Sequence, residues 1–201
     1  GNYPFLSVIF SVSLSLFLLG IFSILLISSY KMKLNIQKNI ELNTKDIVFV
    51  SMSGVVEKNK TPSSEWRFHL DLYRSIKCNA IVHAHSKFSV ICSCLFKEIP
   101  SFHYMIALIE AKSIKVAKYA LYGSKNLSKN ILEVMKNSKG CLISNHGQVT
   151  VGENIDKAYE LSEEVELLCE YYYFCKLHKD PKIISKKEMD LVLNKILNYK
   201  N

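Results

Sequence analysis

Ala80-Ile81-Val82-His83-Ala84-His85-Ser86 is the stretch around which the chain is organised. Ile81 and Val82 favour a strand, and successive strand side chains alternate faces. His83 and His85 therefore project to one side with their imidazoles close together. Two imidazoles on one face can share a metal ion. A catalytic zinc takes three protein ligands in a roughly tetrahedral array, so this pair needs completion from elsewhere in the chain. Glu65, in Thr61-Pro62-Ser63-Ser64-Glu65-Trp66, and His146, in Ser144-Asn145-His146-Gly147, are the residues that could supply it. Standing alone, an H-x-H pair reads more readily as paired surface or core histidines. Its company decides the matter.

The 201 residues suit one domain able to bury a core without disulfides or a structural metal. Charged residues at 22% and hydrophobic residues at 49% exclude an intrinsically disordered chain. The net charge of +8, from 26 Lys plus Arg against 18 Asp plus Glu, is mostly lysine. It reads as a solvated lysine surface that would also welcome a phosphorylated substrate. With no stacking motif and no recognition helix, nucleic acid is not an expected partner. Cys78, Cys92, Cys94, Cys141, Cys169 and Cys175 form no C-x-x-C pair, and most lie in apolar periodic segments. They read as free thiols in a reducing, cytoplasmic compartment.

Residues 1–30 carry no charge, and residues 5–27 are rich in Leu, Ile, Phe, Val and Ser. Three readings stand for this segment. It is a transmembrane helix by hydropathy, a set of buried strands by its β-formers, or a stretch not native to the domain. It shows no basic n-region and no small-residue cleavage site of a signal peptide. The first reading would tether the protein to a membrane through residues 5–27, the alternative to a free cytoplasmic protein. The remaining residues, 31–201, form the domain.

Within that domain a strand is expected at Asp46-Ile47-Val48-Phe49-Val50, followed by a turn at Ser53-Gly54. A helix opens at Thr61-Pro62, where Thr can cap and Pro loses no needed N–H. Its N-terminal amides, with the Ser63 and Ser64 hydroxyls, would receive an anion such as phosphate. After the His83/His85 strand come a helix at residues 88–95, an extended run through Ile99-Pro100-Ser101-Phe102-His103-Tyr104-Met105, and a strand at residues 113–117. Ser124 caps a helix over residues 127–137. Strands at residues 141–144 and 148–151 join through Asn145-His146-Gly147, with Gly147 suited to the bend. A long helix over residues 155–176 stops at Asp180-Pro181, and Ser185-Lys186-Lys187-Glu188 is a capping box for the last helix. His69 and His103 read as structural, and His178 as solvated. Tyr171-Tyr172-Tyr173 covers several faces of its helix, so at least one ring should be exposed or at a subunit contact.

Four polar features stand out in this order: Ser63-Ser64-Glu65-Trp66-Arg67-Phe68-His69, Val82-His83-Ala84-His85-Ser86, Ile99-Pro100-Ser101-Phe102-His103-Tyr104-Met105-Ile106 and Asn145-His146-Gly147. Together they resemble the class II aldolase family, and most closely its fuculose-1-phosphate aldolase branch. The resemblance runs over about residues 46–198. It implies an α/β fold of three layers, α-β-α, with a central, mostly antiparallel sheet. It also implies Zn2+ held by His83, His85 and His146, with Glu65 as a further contact and as the acid/base at the carbon beside the substrate carbonyl. Tyr104 would protonate the aldehyde oxygen from a neighbouring subunit, and Ser63, Ser64 and Asn2 would bind the substrate phosphate. The reaction implied is reversible cleavage of a sugar 1-phosphate, of the L-fuculose 1-phosphate type, to dihydroxyacetone phosphate and an aldehyde, by a homotetramer. Such roles suit the residue types. A zinc ion polarises a ketone and holds the enediolate left by carbon–carbon cleavage, a nearby carboxylate shuttles the proton, and a phenol still has a proton to give near neutral pH.

The match departs from the family at its phosphate loops. Gly1-Asn2 stands for the family's G-N-x-S loop, Ile27-Ser28-Ser29-Tyr30 lacks the glycine of its T-x-S-G turn, and the helix expected before Gly1 is missing. The paired glycines expected after the Tyr104 segment are Glu110-Ala111. An incomplete phosphate cradle keeps two rivals in view. One is a sugar-phosphate epimerase or dehydratase of the same fold. The other is a catalytically impaired remnant or scaffold.

Overall fold

In the computed structural model, residues 47–199 are described. The apolar stretch 1–30, Asn2 and the run from Lys31 to Asp46 lie outside them. No helix among the described residues is long and apolar enough to cross a membrane. From Phe49 onward the described residues form one compact unit.

The elements follow the alternation of hydrophobic periods in the sequence. They are α1 (Trp66–Ser75), β1 (Ala80–Ala84), α2 (Lys87–Leu95), β2 (Glu98–Ile99), a 3-10 helix (Tyr104–Ile109), β3 (Ile114–Ala117), α3 (Lys125–Met135), β4 (Gly140–Ile143), β5 (Gly147–Gly152), α4 (Ile155–His178) and α5 (Lys186–Tyr199). The five strands make one sheet in the order β1-β5-β4-β3-β2. Only the β3–β4 pairing is parallel. The chain therefore has the mostly antiparallel sheet that was expected, flanked by helices.

Side-chain alternation along the inner strands sorts the core into two halves, one on each face of the sheet. On β4, Leu142 joins Ile106, Ile109, Val165 and Leu168 under α4 and the 3-10 helix. Its neighbours Cys141 and Ile143 join Phe68, Leu72, Leu127 and Ile131 under α1 and α3. β5 repeats the pattern with polar residues on one side: Val149 and Val151 enter the α1/α3 half. Thr150 Oγ1 donates to Ala158 O at 2.8 Å and Gln148 Nε2 donates to Ser162 O at 3.0 Å, both on α4. Helix ends follow the local sequence. Ser124 Oγ accepts from Leu127 N at 3.1 Å, Asn154 Oδ1 from Lys157 N at 2.8 Å, and Ser185 and Glu188 bond reciprocally as a capping box.

Four local expectations are corrected. Asp46 lies outside the described residues, and in place of the strand predicted there Val50 makes an isolated bridge to Val56. That pair closes a small hairpin at Gly54, whose φ is +86°. Phe49 and Val55 within it are exposed, so no apolar face holds a longer ladder. Helix α1 begins at Trp66 and not at Thr61-Pro62, because Ser63 closes a turn first: its carbonyl accepts Trp66 N–H and its hydroxyl accepts Glu65 N–H. Tyr104 opens a 3-10 helix where an extended run was expected, and His103 Nδ1 accepts from Met105 N at 3.4 Å at its start. The turn between β4 and β5 takes its left-handed residue at Asn145, φ +56°, and not at Gly147.

Candidate active site

His83 lies in β1 opposite Val149 of β5, and the pleat places it on the α1/α3 side of the sheet. Its Nδ1 is 2.8 Å from the carbonyl oxygen of Gln148. A carbonyl only accepts, so Nδ1 carries the proton and Nε2 keeps its lone pair. His85 follows the end of β1, and its Nε2 lies 3.0 Å from His83 Nε2. His146 comes from the β4–β5 turn, which is tied down by Ser144 N to Ala117 O at 2.9 Å and His146 N to Ile143 O at 3.0 Å. Its ring centroid is 5.0 Å from that of His83 and 4.7 Å from that of His85.

One ring nitrogen from each of the three histidines lies within 4.8 Å of the others. Nitrogens bound at 2.0–2.1 Å in a tetrahedron stand about 3.3 Å apart, so a small inward adjustment would seat a divalent ion. Gly147 lets β5 approach this closely, since a Cβ there would meet Ala84 O at 2.4 Å.

Glu65 sits at the start of α1 with its carboxylate buried. Oε1 accepts from Gly123 N at 3.1 Å, while Oε2 is buried with no hydrogen-bond partner. A buried carboxylate oxygen left without a donor is costly unless a cation or a proton meets it. Three imidazole nitrogens are a donor set suited to a catalytic zinc, and that oxygen would be a further contact that substrate could displace. Glu65 is outside the set that lies within 4.8 Å, and borders the same pocket instead. That pocket, about 560 Å³, is open to solvent and lined by Ser63, Ser64, Glu65, His83, His85, Tyr122 and His146.

Burial favours the neutral form of the His83 and His146 rings. Burial pushes His83 down to about 4, against the opposing effect of its hydrogen bond to Gln148 O, and the neighbouring histidines push it the same way as burial. Burial likewise lowers His146, with the Glu65 charge acting against it. A neutral imidazole is the form that ligates a metal. His69 is also pushed to about 4 by burial, stacks on Phe68 at 4.5 Å and stands edge-on behind His83 at 6.5 Å. This is the structural place expected for it.

The structure thus brings together Ser63, Ser64, Glu65, His83, His85 and His146. Tyr104 does not line this pocket; it is 52% exposed, its ring 5.0 Å from that of His103. Of the three consecutive tyrosines, Tyr171 is exposed and Tyr172 buried.

Reading the sequence missed several supporting residues. Gly123, φ +69°, comes so near Ser64 O that a Cβ would stand 2.8 Å away, and this approach delivers its amide to Glu65. A glycine just before the capping Ser124 was the available signal. Tyr122, in the loop before α3, also lines the pocket. Gln148, polar in an apolar strand, and Glu166, a carboxylate among the apolar positions of α4, were visible as exceptions to their patterns.

Known proteins resemble this chain along most of its length. The class II aldolase and adducin N-terminal domain profile matches residues 33–173. An L-fuculose phosphate aldolase of Haemophilus influenzae is 40% identical over 160 residues, 79% of this chain and 74% of the relative. A 5-methylthioribulose-1-phosphate/5-deoxyribulose-1-phosphate aldolase of Rhodospirillum rubrum is 39% identical over 160 residues, 79% of this chain and 72% of the relative. Among solved structures, an L-fuculose 1-phosphate aldolase superposes with a TM-score of 0.75 at 35% identity, covering 79% of this chain and 75% of that one.

Proposed function

This chain belongs to the class II aldolase and adducin family, and from that premise we propose that it is a zinc-dependent aldolase. It would reversibly cleave a ketose 1-phosphate of the L-fuculose 1-phosphate type to dihydroxyacetone phosphate and an aldehyde. The observation that carries this reading is the convergence of the His83, His85 and His146 ring nitrogens beside the unpartnered Oε2 of buried Glu65.

In this reading His83, His85 and His146 hold the ion, with Glu65 as a fourth contact before substrate enters. The ion, when bound, supplies Lewis acidity that stabilises negative charge on the substrate oxygens. In the direction of synthesis, Glu65 takes a proton from the carbon beside the carbonyl of dihydroxyacetone phosphate. Gly123 N–H, bonded to Oε1, holds the carboxylate and leaves Oε2 without a partner. As the new carbon–carbon bond forms, the phenol of Tyr104 gives its proton to the aldehyde oxygen; in cleavage both transfers reverse. The Ser63 and Ser64 hydroxyls, on the pocket rim, receive the phosphate, with Asn2 as a further contact.

The exposure of Tyr104, away from the pocket of its own chain, supports its delivery to a neighbouring copy in a homotetramer. Six free thiols support a cytoplasmic setting. A second substrate, 5-methylthioribulose or 5-deoxyribulose 1-phosphate, is favoured by the Rhodospirillum rubrum relative at 39% identity.

The test is release of dihydroxyacetone phosphate from a panel of ketose 1-phosphates by purified protein, before and after chelation and with zinc restored. Cleavage that needs zinc supports the reading, and the preferred ketose selects between the substrates. Epimerisation or dehydration without cleavage overturns it, as does a zinc-loaded protein that cleaves none of the panel.

A further inference from the structure

We infer that Glu166, on α4, is a positioning residue for the metal-binding histidines, acting through Ser86. This rests on the metal-site reading above.

Ser86 immediately follows His85 and is the N-cap residue of α2, with the extended backbone that suits a cap. Its hydroxyl does not make the usual cap bond to its own helix. Instead Ser86 Oγ donates to Glu166 Oε2 at 2.6 Å. The same carboxylate accepts from Phe88 N and Ser89 N, each at 2.7 Å. A carboxylate from a different helix, 77 residues on from Ser89, therefore caps α2, and its charge sits where the helix dipole favours an anion.

Freed from capping, Ser86 Oγ also accepts from Gln148 Nε2 at 2.8 Å. Gln148 is the residue whose backbone carbonyl receives the His83 Nδ1 proton. One polar chain, Glu166–Ser86–Gln148–His83, thus runs from α4 to one ligand, and its second member is covalently joined to the other, His85. Every link lies within 3.0 Å. A cap serving only α2 would need the two amide bonds alone. The bond to Ser86, and the bond from Gln148 to the same oxygen, go beyond that need and fix the ligand pair relative to α4. Outer partners of this kind typically change metal affinity by about 10–100-fold when removed.

Two variants test this in the full-length protein, with Co(II) as an optical probe of the zinc site. Ser86→Ala keeps the Glu166 cap on Phe88 and Ser89 and cuts the link, together with the 2.8 Å contact of Ser86 Oγ with Ser89 Oγ. Glu166→Gln keeps the side-chain volume and removes the charge. Co(II) affinity is measured by titration, the ligand field by its visible bands, and the fold by thermal melting of the metal-free protein. The expected result is a Co(II) affinity lowered about 10–100-fold and altered bands in both variants, with Ser86→Ala melting close to the parent protein. Parent-like affinity and bands in Ser86→Ala overturn the inference even if Glu166→Gln melts early, because Glu166 would then be a helix cap alone. A parent protein that takes up neither Co(II) nor zinc overturns the metal-site reading and this inference with it, an outcome distinct from metal uptake that the variants leave unchanged.

Discussion

Gly147 backs directly onto the carbonyl of Ala84: a Cβ at position 147 would stand 2.4 Å from that oxygen and 3.0 Å from His85 Cδ2. No side chain fits there without parting the β1–β5 pair that sets the histidines facing each other. Gly147→Ala is expected to destabilise the fold by about 1–3 kcal/mol, the usual cost of overfilling a packed interior, and to lower zinc content. Denaturant midpoints and metal analysis check this, and parent-like values for both would show that the strands can separate freely at that end.

His85→Ala removes one of three converging ring nitrogens. It should abolish both bound zinc and cleavage. Zinc content equal to that of the parent protein would remove His85 from the metal site.

Tyr104→Phe keeps the ring and deletes only the phenolic proton. Zinc content should stay the same while cleavage slows by about 10²-fold or more, the range for losing a positioned proton donor. An unchanged rate would exclude Tyr104 from the chemistry.

Burial holds the native imidazoles of His69 and His83 at about 4, against 6.5 for the free side chain. Between those values the unfolded chain binds more protons than the native one, so stability falls as pH falls. The contribution is complete above about pH 6.5, where neither state is protonated. It declines by up to about 1.4 kcal/mol per pH unit for each imidazole on the way down to about pH 4. Chelator-treated protein should therefore show a clearly lower urea midpoint at pH 5 than at pH 7, and His69→Gln should flatten part of that slope. A midpoint independent of pH across this window would contradict the buried, neutral state of both rings.

Cys94 is exposed, whereas Cys92, Cys141 and Cys169 are buried. Burial also pushes the Cys141 thiol up to about 12, which leaves almost no thiolate near neutrality. A water-soluble thiol reagent should label Cys94 in a fast phase that Cys94→Ser removes, and label the three buried thiols only after unfolding. Fast labelling of Cys141 in the native protein would refute its packing against Phe68 and Ile131.

Most of the fold was legible because its elements carry local signals: the period-2 runs at β1, β4 and β5, the capping serines at residues 124 and 185, and Asp180-Pro181 after α4. The histidine cluster was legible because β1 spacing sets two of its members on one side by itself. What escaped the sequence depends on partners far along the chain. Whether Val50 extends into a ladder depends on a facing strand, and the true start of α1 depends on Ser63 closing its own turn first. Gly147 looked like a bend residue, yet its need for glycine comes from Ala84, more than sixty residues earlier. Glu110 is a different case. It stands where the resemblance implied glycine, and it takes a left-handed backbone, φ +57°, with its carboxylate 2.6 Å from Lys139 Nζ. Non-glycine residues adopt that conformation at a cost of about 1–2 kcal/mol, which no local pattern reveals.

β1, which carries His83, pairs only with β5 among the described strands. On the ribosome, α2, β2, β3, α3 and β4 all emerge before β5, its partner among the described strands. A nascent chain that has not yet reached His146 thus presents β1 without β5, with two of the three clustered histidines and lacking the third. On the proposed metal-site reading, ion capture awaits the closing of a long loop, so a loaded centre would mark a finished sheet and not seed it.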